Sequence, residues 1–316
     1  MEPHLLDGRL KMRHLVLVDA LTEQGSLVGA ASQLHVTQPA LTRALRELED
    51  ILGVTLYERG PRGATPTLYG AAFTEHARAV LAQLAQAGRH VAELASAERG
   101  TVAVGTHLAG SNLLLPRAIA ALKAEHPRVT VVIREGTPEA LLADLDAGRV
   151  DLIVGRITGT ADPATTRSTV LYDEPIRLVA RVGHPANTAG LTIADLLAYP
   201  WILPGPQTAL RRELEQVFAR QDLPLPENRI ESTSILTMRS LLVHTDVVAA
   251  LPMLIATEDA RIGVLPVALE PMSHTVGITE PAHRRPSPST AVLLARLEQV
   301  AAEIRPAMGV SGRSRP

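Results

Sequence analysis

Gln38, Thr42, Arg43 and Arg46, with Thr37 just ahead of them, carry the chemistry that reads nucleic-acid bases. An amide and hydroxyls both donate and accept hydrogen bonds, and a guanidinium forks onto guanine or phosphate oxygens. All five lie in the run SLVGAASQLHVTQPALTRALR, residues 26–46. Leu41, Leu45, Leu48 and Leu52 recur at spacings of four, three and four, so one stripe faces a core and the polar residues lie off it. Thr37 is placed to cap this helix, with Pro39 in its first turn, where no amide donor is missed. The preceding segment supplies a partner helix, since Ala30 and Ala31 are small enough for close approach and Leu34 and Val36 flank the turn. A helix pair of some α-rich domain gives the same periodicity. The segment beyond the second helix separates the two readings. Gly53 ends that helix, and VTLYERGPRGATPT then supplies a strand, a Gly-Pro-Arg-Gly tip and a second extended segment. Such a hairpin carries Arg59 and Arg62 to a phosphate backbone or a minor groove. A helix pair with a basic wing after it is a winged helix-turn-helix.

A second set of polar residues falls at the ends of expected strands. TVAVGT, VTVVIREG and VDLIVGRI read as strands, separated by the helices LLLPRAIAALKAEHP and TPEALLADLDAG. That alternation implies a parallel sheet covered on both faces. Ligands in open α/β sheets sit beyond the carboxyl ends of the strands. The rule points to Thr106 and the adjoining loop with Ser111, to Thr137, to Gly155-Arg156, and further on to Pro204-Gly205 and Thr233-Ser234. The backbone amides at a helix start capped by Thr137 suit a carboxylate, and Arg156 adds a bidentate donor. Thr137 serves as a cap in either case, and Arg156 has alternative partners in Asp151 and Asp173.

These groups need a frame. After the connector TGTADPATTRS come PIRLVARV, TIADLLAYP, WILPG, TALRRELEQVFARQ, RIESTS, TMRSLLVH and DVVAALP. A second connector, Pro266 to His274, leads to TVGIT and the helix STAVLLARLEQVAAEI. Two α/β halves crossed twice describe the two-lobed architecture of periplasmic binding proteins, with a cleft between the lobes. Between reader and lobes, Phe73, Ala77, Val80, Leu84, Ala87, Val91 and Leu94 alternate spacings of four and three. That is a coiled-coil seam, which pairs two chains and holds two readers apart. The boundaries expected are a winged helix at 9–68, a linker helix at 69–98, one lobe from 99–161 and 269–306, the other from 162–268, and a disordered tail at 307–316.

Composition narrows the function. With 31 basic and 33 acidic residues the net charge is −2, so non-specific affinity for nucleic acid is modest and the arginines must be placed rather than merely numerous. Arg43, Arg46, Arg59 and Arg62 are offset by Glu47, Glu49, Asp50 and Glu58. The absence of cysteine removes thiolate chemistry and suits a reducing cytoplasm. No run of about eighteen apolar residues suggests a membrane helix, and no signal-peptide core opens the chain. A transport solute-binding protein is disfavoured by the winged helix. Enzyme motifs such as HExxH, GxSxG and the P-loop are missing, and His107 and His244 read as structural or solvated.

The run from Arg13 to Gly70, with GSLVGAASQLHVTQPALTRALRELE, LGVTLYER and TPTLYG in order, resembles the DNA-binding domain of LysR-type transcriptional regulators, and the likeness extends through the rest of the chain. GRLKMRHL, VGRI and GHPA are most similar to the branch of protocatechuate-catabolism and galactose-binding-protein regulators. The resemblance implies that Thr37, Gln38, Pro39, Thr42 and Arg43 meet DNA, with Arg62 at the wing position. It also implies that Thr106 and Thr137 contact an effector, either a small carboxylate or a sugar. A dimer assembling into tetramers on double-stranded promoter DNA, with RNA polymerase as a further partner and no cofactor, is the matching expectation. Activation and repression use the same reader.

Overall fold

The structure, a computed structural model, describes residues 7–60, 63–96, 100–107, 113–157, 159, 161–267, 269 and 272–308. Three helices open the chain: α1 (Met12–Gln24), α2 (Leu27–Gln33) and α3 (Gln38–Leu52). Ser26 caps α2 by accepting from the Gly29 amide, and Thr37 caps α3 by accepting from Ala40. Between α2 and α3 the chain turns through a left-handed residue, His35, at φ +53°. The leucine stripe behaves as its spacing requires: Leu41, Leu45 and Leu48 are buried against Leu17, Val18 and Leu21 of α1 and Ala30 and Ala31 of α2.

The wing is an antiparallel hairpin of β1 (Tyr57–Gly60) and β2 (Gly63–Pro66). It docks where the Ala64 amide donates to the Gly25 carbonyl at 2.8 Å. Gly63 is required there, because a Cβ would lie 2.3 Å from the Gly25 oxygen and the residue sits at φ +124°.

One long helix, α4 (Leu68–Ser96), leaves this domain. Its first half differs from a free seam. Ala77 is buried and Phe73 partly buried in the reader's own core, so the apolar repeat begins as intrachain packing against α1. The stripe is exposed only from Val80, continuing through Leu84, Ala87 and Val91. The side chain of Leu94 lies outside the described residues.

The remaining elements run in order: β3 (Thr101–Thr106), α5 (Leu114–Glu125), β4 (Thr130–Glu135), α6 (Pro138–Asp146), β5 (Leu152–Arg156), β6 (Thr166–Arg181), α7 (Ile193–Leu196), β7 (Trp201–Leu203), α8 (Ala209–Arg220), β8 (Arg229–Glu231), α9 (Ile235–His244), β9 (Val248–Pro252), α10 (Met253–Thr257), β10 (Ile262–Val264), β11 (Ser273–Pro281), α11 (Pro288–Ile304) and a 3-10 turn (Arg305–Met308). The sheet order is β4-β3-β5-β11-β6-β9-β7-β8, with β10 also on β6. Strands β3, β4 and β5 are parallel, but β11 joins β5 antiparallel, so the sheet is mixed rather than purely parallel.

One strand bridges the lobes. β6 pairs with β11 up to Pro175 and from Ile176 pairs with β9. Proline suits the handover, because its missing amide falls where one ladder ends and the next begins. The strand therefore starts in the first lobe, and Leu171 and Tyr172 join that lobe's core. Residues 166–175 belong there rather than to the 162–268 lobe expected from sequence. His274 lies within β11, not in a connector. Similarly Ala307 and Met308 fall in the 3-10 turn, with Met308 buried, so the loose tail expected from 307 does not begin there. Residues 309–316 lie outside the described residues.

Candidate functional site

On α3 the side chains off the leucine stripe face outward: Thr37, Gln38, Pro39, Arg43 and Arg46 are exposed and Thr42 half-buried. Two of the four acidic residues that offset these arginines in sequence, Glu47 and Glu49, are engaged elsewhere. Glu47 accepts from Lys11 at 2.9 Å and from Arg13 at 2.7 Å, and these bonds pull its carboxyl down to about 2. Glu49 turns inward and accepts the Leu56 and Tyr57 amides at 2.8 and 3.3 Å, tying α3 to the first strand of the wing. Arg43 and Arg46 consequently have no acidic partner among the described residues. The face presents an amide, hydroxyls and two guanidinium groups without an ion-pair partner among the described residues, on a helix thin enough for a major groove. Arg62 lies outside the described residues, and Arg59 stands in β1 opposite Ala64.

In the cleft, the expected residues separate into those that converge and those that do not. Arg156 ends β5 and crosses to the second lobe, where its Nη2 donates to Glu213 Oε1 of α8 at 2.6 Å. Neither alternative partner holds it. Asp151 accepts from Arg89 of α4 at 3.1 Å and from the Ala103 amide at 2.8 Å, while Asp173 accepts from the Thr275 hydroxyl at 2.7 Å. His274 Nε2 lies 2.8 Å from the other Glu213 oxygen. Burial alone would push the Glu213 carboxyl up, but the hydrogen bonds from His274 and Arg156 outweigh it and hold the group below the ordinary range. Burial holds His274 below the ordinary imidazole range, and Glu213 only partly offsets that. His107 is likewise lowered by burial. Its ring stacks into the space left by Gly155, where a Cβ would sit 2.2 Å from His107 Cε1.

Thr106 is different from expectation. Its side chain is fully buried and its hydroxyl donates to the Val154 carbonyl at 2.9 Å, so it braces β3 against β5 and offers no open surface. The alternation of the strand explains this, because Thr106 falls on the same side of β3 as the fully buried Val102 and Val104. Thr137 is exposed and accepts the Ala140 amide at 3.3 Å as the cap of α6. In the second lobe Ser234 caps α9, accepting from the Thr237 amide and hydroxyl at 3.3 and 3.1 Å, and exposed Thr233 lies close to Gly205. Ser111 lies outside the described residues.

Sequence reasoning did not find Glu213 or His274. Glu213 reads as an ordinary polar position of an amphipathic helix, and no local spacing announces a partner 57 residues away. His274 is hidden by the proline-rich approach to its strand.

Comparison with known proteins gives the same division. Residues 12–71 match the family described as bacterial regulatory helix-turn-helix protein, lysR family, and residues 95–302 match the LysR substrate binding domain. The HTH-type transcriptional regulator PcaQ of Agrobacterium fabrum is 34% identical over 304 residues, which is 95% of this chain and 98% of that protein. GbpR of Azospirillum brasilense is 34% identical over 254 residues, 78% of this chain and 74% of its own. Among solved structures, full-length OxyR from Pseudomonas aeruginosa covers 92% of this chain and 98% of its own at 24% identity and a TM-score of 0.63, and so shares the fold. Of the described residues, none form a helix long and apolar enough to cross a membrane. Two family patterns across most of the length, and a full-length relative at 34% identity, place the chain in the LysR family: it is a DNA-binding transcriptional regulator with a small-molecule effector domain, not an enzyme.

Proposed function

We propose that Gln38, Thr42, Arg43 and Arg46 read base edges in a major groove, that Thr37 and Pro39 set the start of the reading helix, and that Arg62 adds a contact from the wing. The observation that supports this is the diversion of Glu47 and Glu49 to Lys11, Arg13 and the wing backbone, with Arg43 and Arg46 exposed and in no ion pair among the described residues. The domain scheme is a reader at 9–68, a linker at 69–98, and a sensor beyond it whose lobes meet at the cleft. Val80, Leu84 and Val91 dimerise two chains through the linker. Dimers assemble further into tetramers, in the cytoplasm, and communicate with RNA polymerase on double-stranded promoter DNA.

The effector, a small carboxylate or a sugar, lies between Thr137 and Arg156 of the first lobe and Thr233 and Ser234 of the second. Ser111 completes the loop beyond β3, and Thr106 supports the site from beneath. Strand β5 supports a route from cleft to reader. Asp151, just before it, holds Arg89 of the linker helix, and Arg156 at its far end faces the second lobe. An effector shifts the regulator only if it binds one arrangement of the lobes better than another.

The direct test compares the wild type with Arg43→Ala in a gel-shift assay on the DNA upstream of its gene. Loss of a bidentate base contact weakens specific binding by about 1–3 kcal/mol. Because Arg43 is exposed, thermal unfolding stays where it was. Equal affinity of the two proteins for that DNA refutes the assignment.

A further inference from the structure

The cationic group of the cleft is already occupied by a carboxylate of the protein itself. Arg156 stands on the first lobe and Glu213 on the second, and their 2.6 Å bond crosses between them. Among the described residues it is the one hydrogen bond the Arg156 side chain makes, so four of the five guanidinium N–H groups remain available. Glu213 is held on both oxygens, by Arg156 on one and His274 on the other. The pair is thus a single-bonded one, whereas a free carboxylate approaching in plane can engage a guanidinium through two parallel bonds.

We propose that Glu213 is an internal counter-anion of the effector site, and that an anionic effector binds by exchanging its carboxylate for that of Glu213 on Arg156. The inference rests on the reading of this cleft as the effector site and deepens it by naming the ligand class as a small monocarboxylate. Exchange needs a place for the displaced side chain. An open recess of about 310 Å³ lies beside Glu213, lined also by Gln216 and Arg220 along the same side of α8 and by Met272 and Ser273 at the start of β11. Rotation into that recess frees Arg156 and releases His274. The exchange also removes the ion pair joining the two lobes, so binding of an acid changes the lobe contact as a matter of stoichiometry. A neutral polyol has no such requirement, since it leaves the Arg156–Glu213 bond in place.

Loss of the internal carboxylate therefore affects only the acidic ligand class. Isothermal titration of the full-length protein with benzoate, 3,4-dihydroxybenzoate and galactose, comparing the wild type with Glu213→Gln, measures this directly. Removing the competitor tightens binding of the aromatic acids tenfold or more and leaves galactose unchanged. Glu213→Ser, which also empties the space, gives the same direction, and fluorescence of the single tryptophan, Trp201, reports that both variants are folded. A Glu213→Gln protein that takes up neither acid better than the wild type, whether both proteins bind or neither does, overturns the proposal. So does a tenfold gain for galactose alone. The regulator reading fails separately, by loss of wild-type DNA binding in the gel-shift assay, an outcome these titrations do not touch.

Discussion

Glu174 makes the stability of the sensor domain depend on pH in a way that a conservative substitution abolishes. The side chain is 1% exposed on the bridging strand β6. One carboxylate oxygen accepts the Leu254 amide at 3.2 Å, and the other has no partner among the described residues. Burial raises its pKa from 4.5 to about 7, against a smaller opposing effect of the Leu254 amide. Tyr172, two residues earlier on the same side of the strand, is raised by burial and by the Glu174 charge. The folded protein therefore holds this proton more tightly than the unfolded chain. The contribution of Glu174 to stability is full below about pH 4.5, falls as the pH rises toward 7, and is gone above it. At roughly 1.4 kcal/mol per pKa unit the full loss is about 3 kcal/mol. Glu174→Gln keeps the shape and the acceptor for Leu254 but carries no charge, so it removes the loss. The stability gained by the variant grows by about 2 kcal/mol between pH 5.5 and pH 8. Urea unfolding monitored through Trp201, buried in the second lobe, measures it at both values. His107 and His274, lowered by burial, act in the opposite sense: their contribution is present above 6.5 and is lost as the pH falls. Both are present in each protein and cancel in the comparison. A difference between variant and wild type that is the same at the two pH values, or a variant less stable at pH 8, refutes the reasoning.

Other perturbations test the packing. Leu45, fully buried between α1, α2 and α3, loses about 2–5 kcal/mol of reader stability on change to alanine; heating monitored by circular dichroism resolves that early transition, while the Trp201 transition of the second lobe stays in place. Leu84 is 55% exposed on the linker stripe, and Leu84→Glu puts like charges face to face in a paired seam. Sedimentation then shows the smallest species gaining at the expense of the dimer, and an unchanged distribution removes the linker from the interface. Gly155→Ala drives a methyl into the His107 ring and lowers effector affinity at least tenfold, with DNA binding retained in the same gel-shift assay.

The reader was legible in the sequence because its determinants are local. The Leu41, Leu45 and Leu48 stripe, the Thr37 cap and the glycine and proline turns each act within one or two helical turns, and all fall where the pattern places them. The linker was legible as a helix but not as two kinds of surface. An apolar repeat looks the same whether Ala77 is buried against its own α1 or Val80 stands exposed. The cleft was half legible. Strand-end reasoning led to Arg156 and the capping threonine Thr137, yet it misplaced Thr106, whose hydroxyl serves a neighbouring strand. The first half of β6 reads as polar connector because Arg167 to Thr169 are exposed along the bridging ladder. Glu213 and His274 needed the fold itself, since one comes from the second lobe and the other from the returning strand.

The central claim is an effector-responsive reader of DNA, and footprinting of the full-length protein on the DNA upstream of its gene tests it most directly. With 3,4-dihydroxybenzoate and galactose added in turn, the expected result is a protected two-fold site whose extent changes with the acid. No protection at low salt, where phosphate contacts are strongest, contradicts it.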